Sequence, residues 1–223
     1  STYSWFGYEW DGIFQNQEEI NTSAQQIPAA VPGDIKFKDI SGVDGVPDGQ
    51  IDSFDRTIIG KSIPELYYGF GGNLNYGNVD FSLFFQGVGN SDVNSFSRVN
   101  HASTGGNPQS WAVEWLNRWT PENPSNEFPR VDYSGRRGND QFSNYYLENG
   151  AYLRLKNIEI GYSLPKALLK IVKLDKARFY VGGQNLLTFT DLKHFDPERS
   201  YSQQRTEFYP QIKIIQIGIN ITL

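Results

Sequence analysis

The sequence contains no cysteine and only two histidines among its 223 residues. Without cysteine, a disulfide framework and thiol chemistry are both excluded. His101 and His194 lie in different predicted loops, and neither is surrounded by a Ser/His/Asp arrangement or a metal-ligand spacing. Asp196 and Glu198 follow His194, but two carboxylates on a solvated loop tip are far commoner than an acid/base pair. We therefore expect that this chain is not an enzyme.

Long apolar runs and positive charge are also missing. Only 38% of the residues are hydrophobic, the mean hydropathy is −0.51, and no run approaches the roughly 20 apolar residues of a spanning helix. A helical membrane protein is excluded, whereas a β-barrel is not, because its strands need only about 10 residues of which alternate ones are apolar. The net charge of −5 and the pI near 5.1 give no basic patch for nucleic acid.

What the sequence does contain is apolar residues at every second position. From Ile215 to Leu223 every second residue is aliphatic, and the residues between are small or polar. Such alternation predicts β-strands with one apolar and one polar face. A change of parity between Leu155 and Ile158 predicts a β-bulge near Lys156 or Asn157. The alternation predicts six strands, at about 3–14, 68–76, 79–86, 145–164, 178–188 and 215–223.

The predicted connections between these strands differ in length in a regular order. The segments 15–64 and 89–144 are long, the Gly77-Asn78 turn and the segment 165–176 are short, and the segment 191–209 is intermediate. Short turns on one side and long loops on the other side are typical of an outer-membrane barrel. The alternation by itself also fits a half-buried antiparallel sheet in a soluble sandwich.

Several short motifs occur in an order that carries a resemblance to a known family. The motifs are Gly7-Tyr8-Glu9-Trp10-Asp11-Gly12-Ile13-Phe14-Gln15-Asn16, Pro32-Gly33-Asp34-Ile35-Lys36-Phe37-Lys38-Asp39, Asp55-Arg56-Thr57-Ile58-Ile59-Gly60, Phe84-Phe85-Gln86-Gly87, Trp119-Thr120-Pro121-Glu122-Asn123-Pro124, Tyr152-Leu153-Arg154-Leu155-Lys156-Asn157, Gly161-Tyr162-Ser163-Leu164-Pro165 and Gly183-Gln184-Asn185-Leu186. Together they resemble the C-terminal part of SusC-like TonB-dependent outer-membrane transporters. Members of this family usually end in an aromatic residue, whereas this chain ends in Leu223.

The resemblance implies an all-β fold. Residues 1–223 would form about six antiparallel strands of a 22-stranded transmembrane barrel with long extracellular loops, and the plug domain and N-terminal strands would be absent. The C-terminus would be periplasmic in a bacterial outer membrane. The implied function is import of glycans or oligopeptides together with a SusD-like surface lipoprotein. TonB would act through a segment outside this chain, and the other partners would be the rest of the barrel and membrane lipid.

An acidic segment between the first two predicted strands has the spacing of a calcium-binding loop. Asp44, Asp48, Asp52 and Asp55 occupy positions 1, 5, 9 and 12 of an EF-hand-type frame, and Gly49 occupies position 6. Position 3 is a valine that cannot bind the ion, and Asp39 and Ser41 belong to an alternative frame with an insertion. Structural calcium is one interpretation, and a solvated acidic turn is the other.

Three tryptophans with helical spacing lie in the longest predicted loop. Trp111, Trp115 and Trp119 are four residues apart, and Ser110 could cap a short helix. They would contact substrate or a partner, for which tryptophan is a favoured anchor, or form a small core that holds the loop on the barrel. We favour the small core.

Two further features remain to be assigned. A basic cluster near the fifth predicted strand, with a predicted helical turn around 167–172, suggests a solvated periplasmic turn with interfacial anchoring and not nucleic-acid binding. It consists of Lys166, Lys170, Lys173, Lys176 and Arg178. The alternative function for the whole chain is a secreted or surface β-sandwich that binds carbohydrate, or a dockerin-like module because of the acidic loop. A dockerin needs two such loops, and the sequence contains one.

Overall fold

A computed structural model describes residues 4–95, 113–131, 138–192, 196–198 and 210–223. No helix within these ranges has the length and apolar character needed to cross a membrane. The described residues form two compact units. One unit, the sheet unit, comes from the described residues within 64–91, 149–198 and 210–223, and the other, the loop unit, from those within 4–63 and 92–148.

The elements occur in the following order. They are β1 (Ser4–Tyr8), β2 (Trp10–Ile13), α1 (Gln17–Thr22), β3 (Ile35–Phe37), β4 (Arg56–Lys61), β5 (Leu66–Tyr76), β6 (Val79–Gly89), β7 (Asp92–Asn94), β8 (Leu147–Asn149), β9 (Tyr152–Ser163), α2 (Lys166–Val172), β10 (Lys176–Thr190) and β11 (Ile214–Thr222), with 3₁₀ turns at Ser53–Asp55, Val113–Asn117 and Asn144–Tyr146.

The sheet unit contains one five-stranded antiparallel sheet in the order β11-β10-β9-β6-β5. These strands confirm five of the six predicted ones. Gly77 adopts a φ of +60° in the turn between β5 and β6, as the predicted tight hairpin requires.

The predicted strand at 3–14 does not join this sheet, and the prediction of six strands in one sheet is wrong for the described chain. The segment divides at Glu9 into β1, which pairs with β4, and β2, which pairs with β3. Gly12, with a φ of +112°, interrupts the second ladder. The sequence could not reveal this, because alternation has the same period in a large sheet and in a two-stranded ladder.

The predicted β-bulge is confirmed, and the register also shifts at the same level in both neighbouring strands. In β6 the paired residues Phe84 and Phe85 are adjacent, whereas their partners in β9, Asn157 and Leu155, have one residue between them. The partners of the same two β9 residues in β10, Gln184 and Leu187, have two residues between them. One of those two residues, Asn185, has a φ of +53°. Asparagine tolerates this left-handed conformation better than most residues, so it suits the bulge.

The register places most of the apolar residues of the five strands on one face, defined here as the apolar face, whereas Phe84 lies on the other face in register with Gly71 and Asn157. One row across the sheet consists of Ile219, Phe179, Tyr162, Val79 and Tyr76. The apolar face is bare even on the central strand, where the Ile160 side chain is 52% exposed. Soluble monomers rarely expose so large a contiguous apolar surface.

The connections within the sheet unit are sorted by side. Asn78 accepts a hydrogen bond from the Ser163 backbone N–H at 2.8 Å, and Thr222 accepts one from the Asp175 N–H at 2.9 Å. The Gly77-Asn78 turn and α2 therefore lie at the end of the sheet where β11 finishes. The longer connections, 90–151 and 191–213, leave from the opposite end.

The loop unit is built on short ladders and a small aromatic core. The strand pairs β1-β4, β2-β3 and β7-β8 form three separate two-stranded sheets. Ile35, Phe37, Ile51 and Tyr146 make the buried cluster. α1 begins after Asn16, whose side chain accepts a hydrogen bond from the Glu19 N–H at 2.9 Å.

Candidate functional site

The face of the sheet opposite the apolar one, defined here as the polar face, carries two groups of ion pairs. At the end with the longer connections, Arg154 of β9 lies between Thr188 of β10 and Gln86 of β6 in register. Its guanidinium binds Asp196 and Glu198, which come from the connection between β10 and β11. We call these side chains together with Lys156 the Arg154 cluster.

Each of the three guanidinium nitrogens of Arg154 donates to a side-chain oxygen of the cluster or of Thr188. Nε donates to the Thr188 hydroxyl at 2.8 Å, Nη1 donates to Glu198 Oε2 at 2.8 Å, and Nη2 reaches both oxygens of Asp196 at 2.9 Å. The Arg154 side chain is 3% exposed. A buried guanidinium needs such charge-assisted partners, because removing it from water without them would be costly.

Glu198 and Asp196 are held from several directions. Glu198 also accepts from Lys156 Nζ at 2.9 Å and from the Tyr152 hydroxyl at 3.2 Å. Burial raises the pKa of Asp196, but hydrogen bonds from the Glu198 and Gln211 N–H groups and from Arg154 outweigh it, so its pKa lies below the ordinary value. The cluster thus fastens two points of one connection, residues 196–198 and 211, to the polar face.

The second group lies nearer the short connections and depends on a glycine. Arg178 of β10 donates from Nε to Asp80 Oδ1 at 2.9 Å and from Nη2 to Glu159 Oε1 at 2.7 Å. To reach Asp80 of β6 its side chain crosses β9 over Gly161, where a Cβ atom would collide with the guanidinium. Glycine therefore makes room for an ion pair that spans three strands.

The four carboxylates of the predicted calcium frame lie in the loop unit and have different surroundings. Asp44 is exposed, Asp48 Oδ1 accepts from the Gln50 N–H at 3.0 Å, and Asp52 Oδ1 accepts from the Phe54 N–H at 2.7 Å. Within the described ranges, no three His, Cys, Asp or Glu side chains are placed so that they could hold a metal ion. Calcium binding by Asp44, Asp48, Asp52 and Asp55 stays a prediction.

Asp55 is fully buried, and its carboxylate is surrounded by backbone donors. Oδ1 accepts from the Ile40 N–H at 2.8 Å and the Ser41 N–H at 3.1 Å, and Oδ2 accepts from the Asp52 N–H at 2.8 Å. Asp52 and Asp55 together form a capping box on the 3₁₀ turn. The carboxylate of Asp55 thus ties the start of the acidic segment to its end.

Asp39, which belongs to the alternative frame, contributes to the same loop. Its Oδ2 accepts from the Gly49 N–H at 2.7 Å, whereas its Oδ1 is buried and has no hydrogen-bond partner in the described structure.

Two of the three tryptophans are buried within the loop unit. Trp115 packs edge-on against Phe128 with ring centroids 5.6 Å apart, and Trp119 donates from Nε1 to Gln15 Oε1 at 3.0 Å. The 3₁₀ turn ends at Asn117, so the two rings do not share one helical stripe. Trp111 lies outside the described residues. The prediction of substrate or partner contact is untested, and the burial of Trp115 and Trp119 agrees with the small core.

We expect Gly33→Ala to destabilise the loop unit by about 2–4 kcal/mol, from backbone strain of 1–2 kcal/mol and displacement of a packed ring. Gly33 has a φ of +90°, and an added Cβ would press into the Trp119 ring. Gly49→Ala is the matched control, since its φ is +82° but nothing surrounds its Cβ position. Limited proteolysis of the loops in the full-length protein measures both. Equal effects of the two substitutions would show that Trp119 does not pack tightly here.

Sequence reasoning missed the Arg154 cluster and the network around Asp34. Asp34 Oδ1 accepts from Arg130 Nε at 2.6 Å and from Asn139 Nδ2 at 3.3 Å, although these partners are about a hundred residues away in the chain. The sequence indicates the Arg154 cluster only weakly, through an arginine between two leucines in a predicted strand. No local pattern indicates which loop carboxylates would meet it.

Comparison with known proteins gives a consistent result, although no family model matches the chain. TonB-dependent receptors P3 and P26 of Formosa agariphila are 32% and 33% identical over 98% and 97% of the chain. TonB-dependent receptor SusC of Bacteroides thetaiotaomicron is 26% identical over 80% of it. The chain spans 22% of the length of P3 and of P26, and 17% of that of SusC.

Solved structures show the same fold. The RagAB peptide importer in its open-open state matches 99% of the chain with a TM-score of 0.73, and a second RagAB peptide transporter structure matches 99% with a TM-score of 0.74. Both are 24% identical to the chain, which covers 22% and 23% of their length. The predicted all-β, antiparallel fold class is therefore confirmed, whereas the count of 22 strands and the closure of the barrel stay predictions.

Proposed function

Since this chain is homologous to the SusC-like TonB-dependent receptors over nearly its whole length, we propose that it supplies the C-terminal strands of an outer-membrane barrel that imports nutrients. Its relatives are receptors and transporters of the outer membrane and not enzymes. In this proposal the residues described above bind and position other groups and carry out no covalent chemistry.

The observation that carries the proposal is the bare apolar face of the five-stranded sheet. Ile217, Leu74 and Ile160 are 81%, 64% and 52% exposed on it, although the opposite face is polar and bears ion pairs. A sheet with these two faces is stable where one side meets hydrocarbon and the other a wet lumen. The two edge strands, β5 and β11, would pair with strands of the same protein outside this chain.

The orientation follows from the sorting of the connections. The Gly77-Asn78 turn, α2 and the C-terminal end of β11 lie on the periplasmic side in this proposal, and the longer connections face outside. The Arg154 cluster then lies near the outer mouth of the lumen, where it fixes the connection between β10 and β11 to the barrel wall.

The partners of the complete importer belong to the proposal as well. A SusD-like lipoprotein would close over the outer mouth, and TonB would act through a segment outside this chain. The substrate class is glycans or oligopeptides. Growth of cells with and without the transporter on each class as sole nutrient tests the substrate. Copurification with the tagged barrel tests the lipoprotein.

A substitution on each face tests the barrel itself. We expect Ile160→Arg in the full-length protein to reduce the folded barrel in outer-membrane fractions strongly, because arginine in the hydrocarbon costs about 2–4 kcal/mol at the midplane. Asn73→Arg is the control, since Asn73 lies on the polar face, opposite Ser82 in register, and its substitution should leave the amount nearly unchanged. Equal amounts of folded protein for the two variants would contradict a lipid-facing apolar face.

A further inference from the structure

We propose that α2 and the lysines around it bind the headgroups of anionic phospholipids and so anchor the short-connection end of the barrel to the inner leaflet of the outer membrane. The inference rests on the proposed function, because it requires the apolar face of the sheet to contact lipid. It adds a specific lipid-binding surface, which we call the α2 surface and define as Lys166–Val172 with Lys173 and Lys176.

The apolar half of the α2 surface has no cover in the described structure. Leu168, Ile171 and Val172 are 48%, 76% and 54% exposed, whereas Leu169 is 8% exposed and holds the helix to the rest of the unit. On a helix of 3.6 residues per turn, the three exposed side chains share one side. Three uncovered aliphatic side chains on a two-turn helix are unfavourable in water and favourable in the acyl region of a leaflet.

Lys166 and Lys170 lie on the other side of the helix, about one turn apart and opposite Leu168. Lys173 is the C-cap of the helix, and Lys176 is the first residue of β10. All four lysines are exposed, and no carboxylate of the described residues lies within ion-pair distance of them. Asp175 is the one acidic residue between Lys166 and Lys176. Arg178 is neutralised by Asp80 and Glu159, so the free positive charge belongs to the lysines.

The level of the α2 surface relative to the membrane is marked by aromatic side chains. Tyr76, Tyr162 and Phe179 belong to one row across the apolar face, and they are 84%, 44% and 48% exposed. Aromatic rows of this kind lie at the boundary between hydrocarbon and headgroups. β9 ends one residue after Tyr162 and β10 begins three residues before Phe179. α2 therefore lies at headgroup depth.

The positive charge of the α2 surface and its depth in the membrane together favour anionic lipid as its ligand. A helix with an apolar side toward the acyl chains and lysines at headgroup level is attracted to anionic lipid, at about 1 kcal/mol per lysine near the surface. A protein partner would need complementary carboxylates for the lysines and would shield Ile171 from lipid, which the test below distinguishes. We therefore expect phosphatidylglycerol to be preferred over phosphatidylcholine.

The test places a fluorescent label at defined positions of the full-length barrel. Ile171→Cys, Lys170→Cys and Ile160→Cys are made separately in an otherwise cysteine-free protein, labelled with an environment-sensitive dye and reconstituted in vesicles. The vesicles contain phosphatidylcholine with or without phosphatidylglycerol. Quenching by spin-labelled lipid reports contact with acyl chains, and quenching by iodide reports exposure to water.

We expect the label at 171 to be quenched by lipid roughly twice as strongly as the label at 170, and more so with phosphatidylglycerol. Substituting the four lysines by glutamine should remove the effect of phosphatidylglycerol. Iodide quenching at 171 equal to that at 170, or shielding of 171 from both quenchers, would overturn the proposal, the latter by indicating a protein cover. An unchanged lipid preference after the glutamine substitutions would overturn the headgroup contact.

Position 160 separates this inference from the proposed function. If the label at 160 is quenched by lipid and the label at 171 is not, the barrel proposal holds and the α2 surface alone is refuted. If the label at 160 is not quenched by lipid, the barrel proposal fails as well.

Discussion

Replacing Arg154 by methionine is expected to release the connection between β10 and β11 from the barrel wall. Methionine keeps much of the length and the apolar volume of arginine but removes its donors. Asp196 and Glu198 would then share a site with 11% and 12% side-chain exposure and without their main counter-charge. Breaking a buried ion pair by removing one partner costs about 3–5 kcal/mol, and we expect about 3 because the carboxylates are partly exposed.

The measurement is hydrogen exchange at the backbone N–H groups of Glu198 and Gln211. Both groups donate to Asp196, at 2.9 Å and 2.8 Å. About 3 kcal/mol corresponds to roughly a hundredfold faster exchange, since 1.4 kcal/mol is a factor of ten. An Arg154→Met protein with unchanged exchange at these two sites would show that the cluster does not hold the connection.

Two variants control for the identity of the charge. Arg154→Lys keeps the charge but loses the planar fork that reaches Thr188, Asp196 and Glu198 together, so exchange should rise to an intermediate rate. Lys156→Met removes only the ion pair between Glu198 and the Lys156 side chain, which is 23% exposed. Its effect should stay within about 1 kcal/mol, because Glu198 keeps its bond to Arg154.

The pH dependence of the cluster follows from Asp196. Its pKa is lower in the folded protein than in the unfolded chain, where it is about 3.9. The ionised form is therefore favoured by folding, and its stabilisation is fully present above that value and is lost as the pH falls through the lower folded pKa. The connection should thus stay fixed at neutral and mildly acidic pH.

Asp55→Ala is expected to destabilise the loop unit by as much as Arg154→Met destabilises the connection between β10 and β11, or by more. Three backbone N–H groups, of Ile40, Ser41 and Asp52, would lose a charged acceptor in a fully buried place. Each buried donor left without a partner costs about 1–3 kcal/mol, which gives about 3–5 in total when water enters part of the space. Protease resistance of residues 39–55 in the full-length protein is the readout.

Asp55→Asn is the matched control, because only one side of the carboxylate is lost. Its oxygen can still accept from Ile40 and Ser41, while its NH₂ group faces the Asp52 N–H and cannot accept. We expect Asp55→Asn to destabilise the loop unit by about half as much as Asp55→Ala. A loop as resistant in the alanine variant as in the unchanged protein would contradict the buried role of Asp55.

The Asp55→Ala variant also tests calcium binding. If Asp55 acts only through its backbone bonds, Asp55→Ala lowers protease resistance equally with calcium and with a chelator. If the acidic segment binds the ion, calcium raises the resistance of the unchanged protein and not that of the variant. Asp44→Asn should then weaken the calcium effect as well, because Asp44 occupies position 1 of the predicted frame.

The alternation of side chains determined most of the sheet in advance. Five of the strands, the Gly77-Asn78 hairpin, the bulge at Lys156 and the separation into an apolar and a polar face were all predicted from the sequence. Each depends on neighbours within a few residues, because the two faces of a strand and the φ of a turn are local properties.

The tertiary structure alone decided which residues meet across long separations. The segment 3–14 alternates like a barrel strand, yet it pairs with β3 and β4. Arg154 binds carboxylates more than forty residues away, and two of the three backbone donors of Asp55 lie fourteen and fifteen residues before it. The period of a strand fixes the direction of its side chains but not the identity of its partner, which depends on how the whole chain closes on itself.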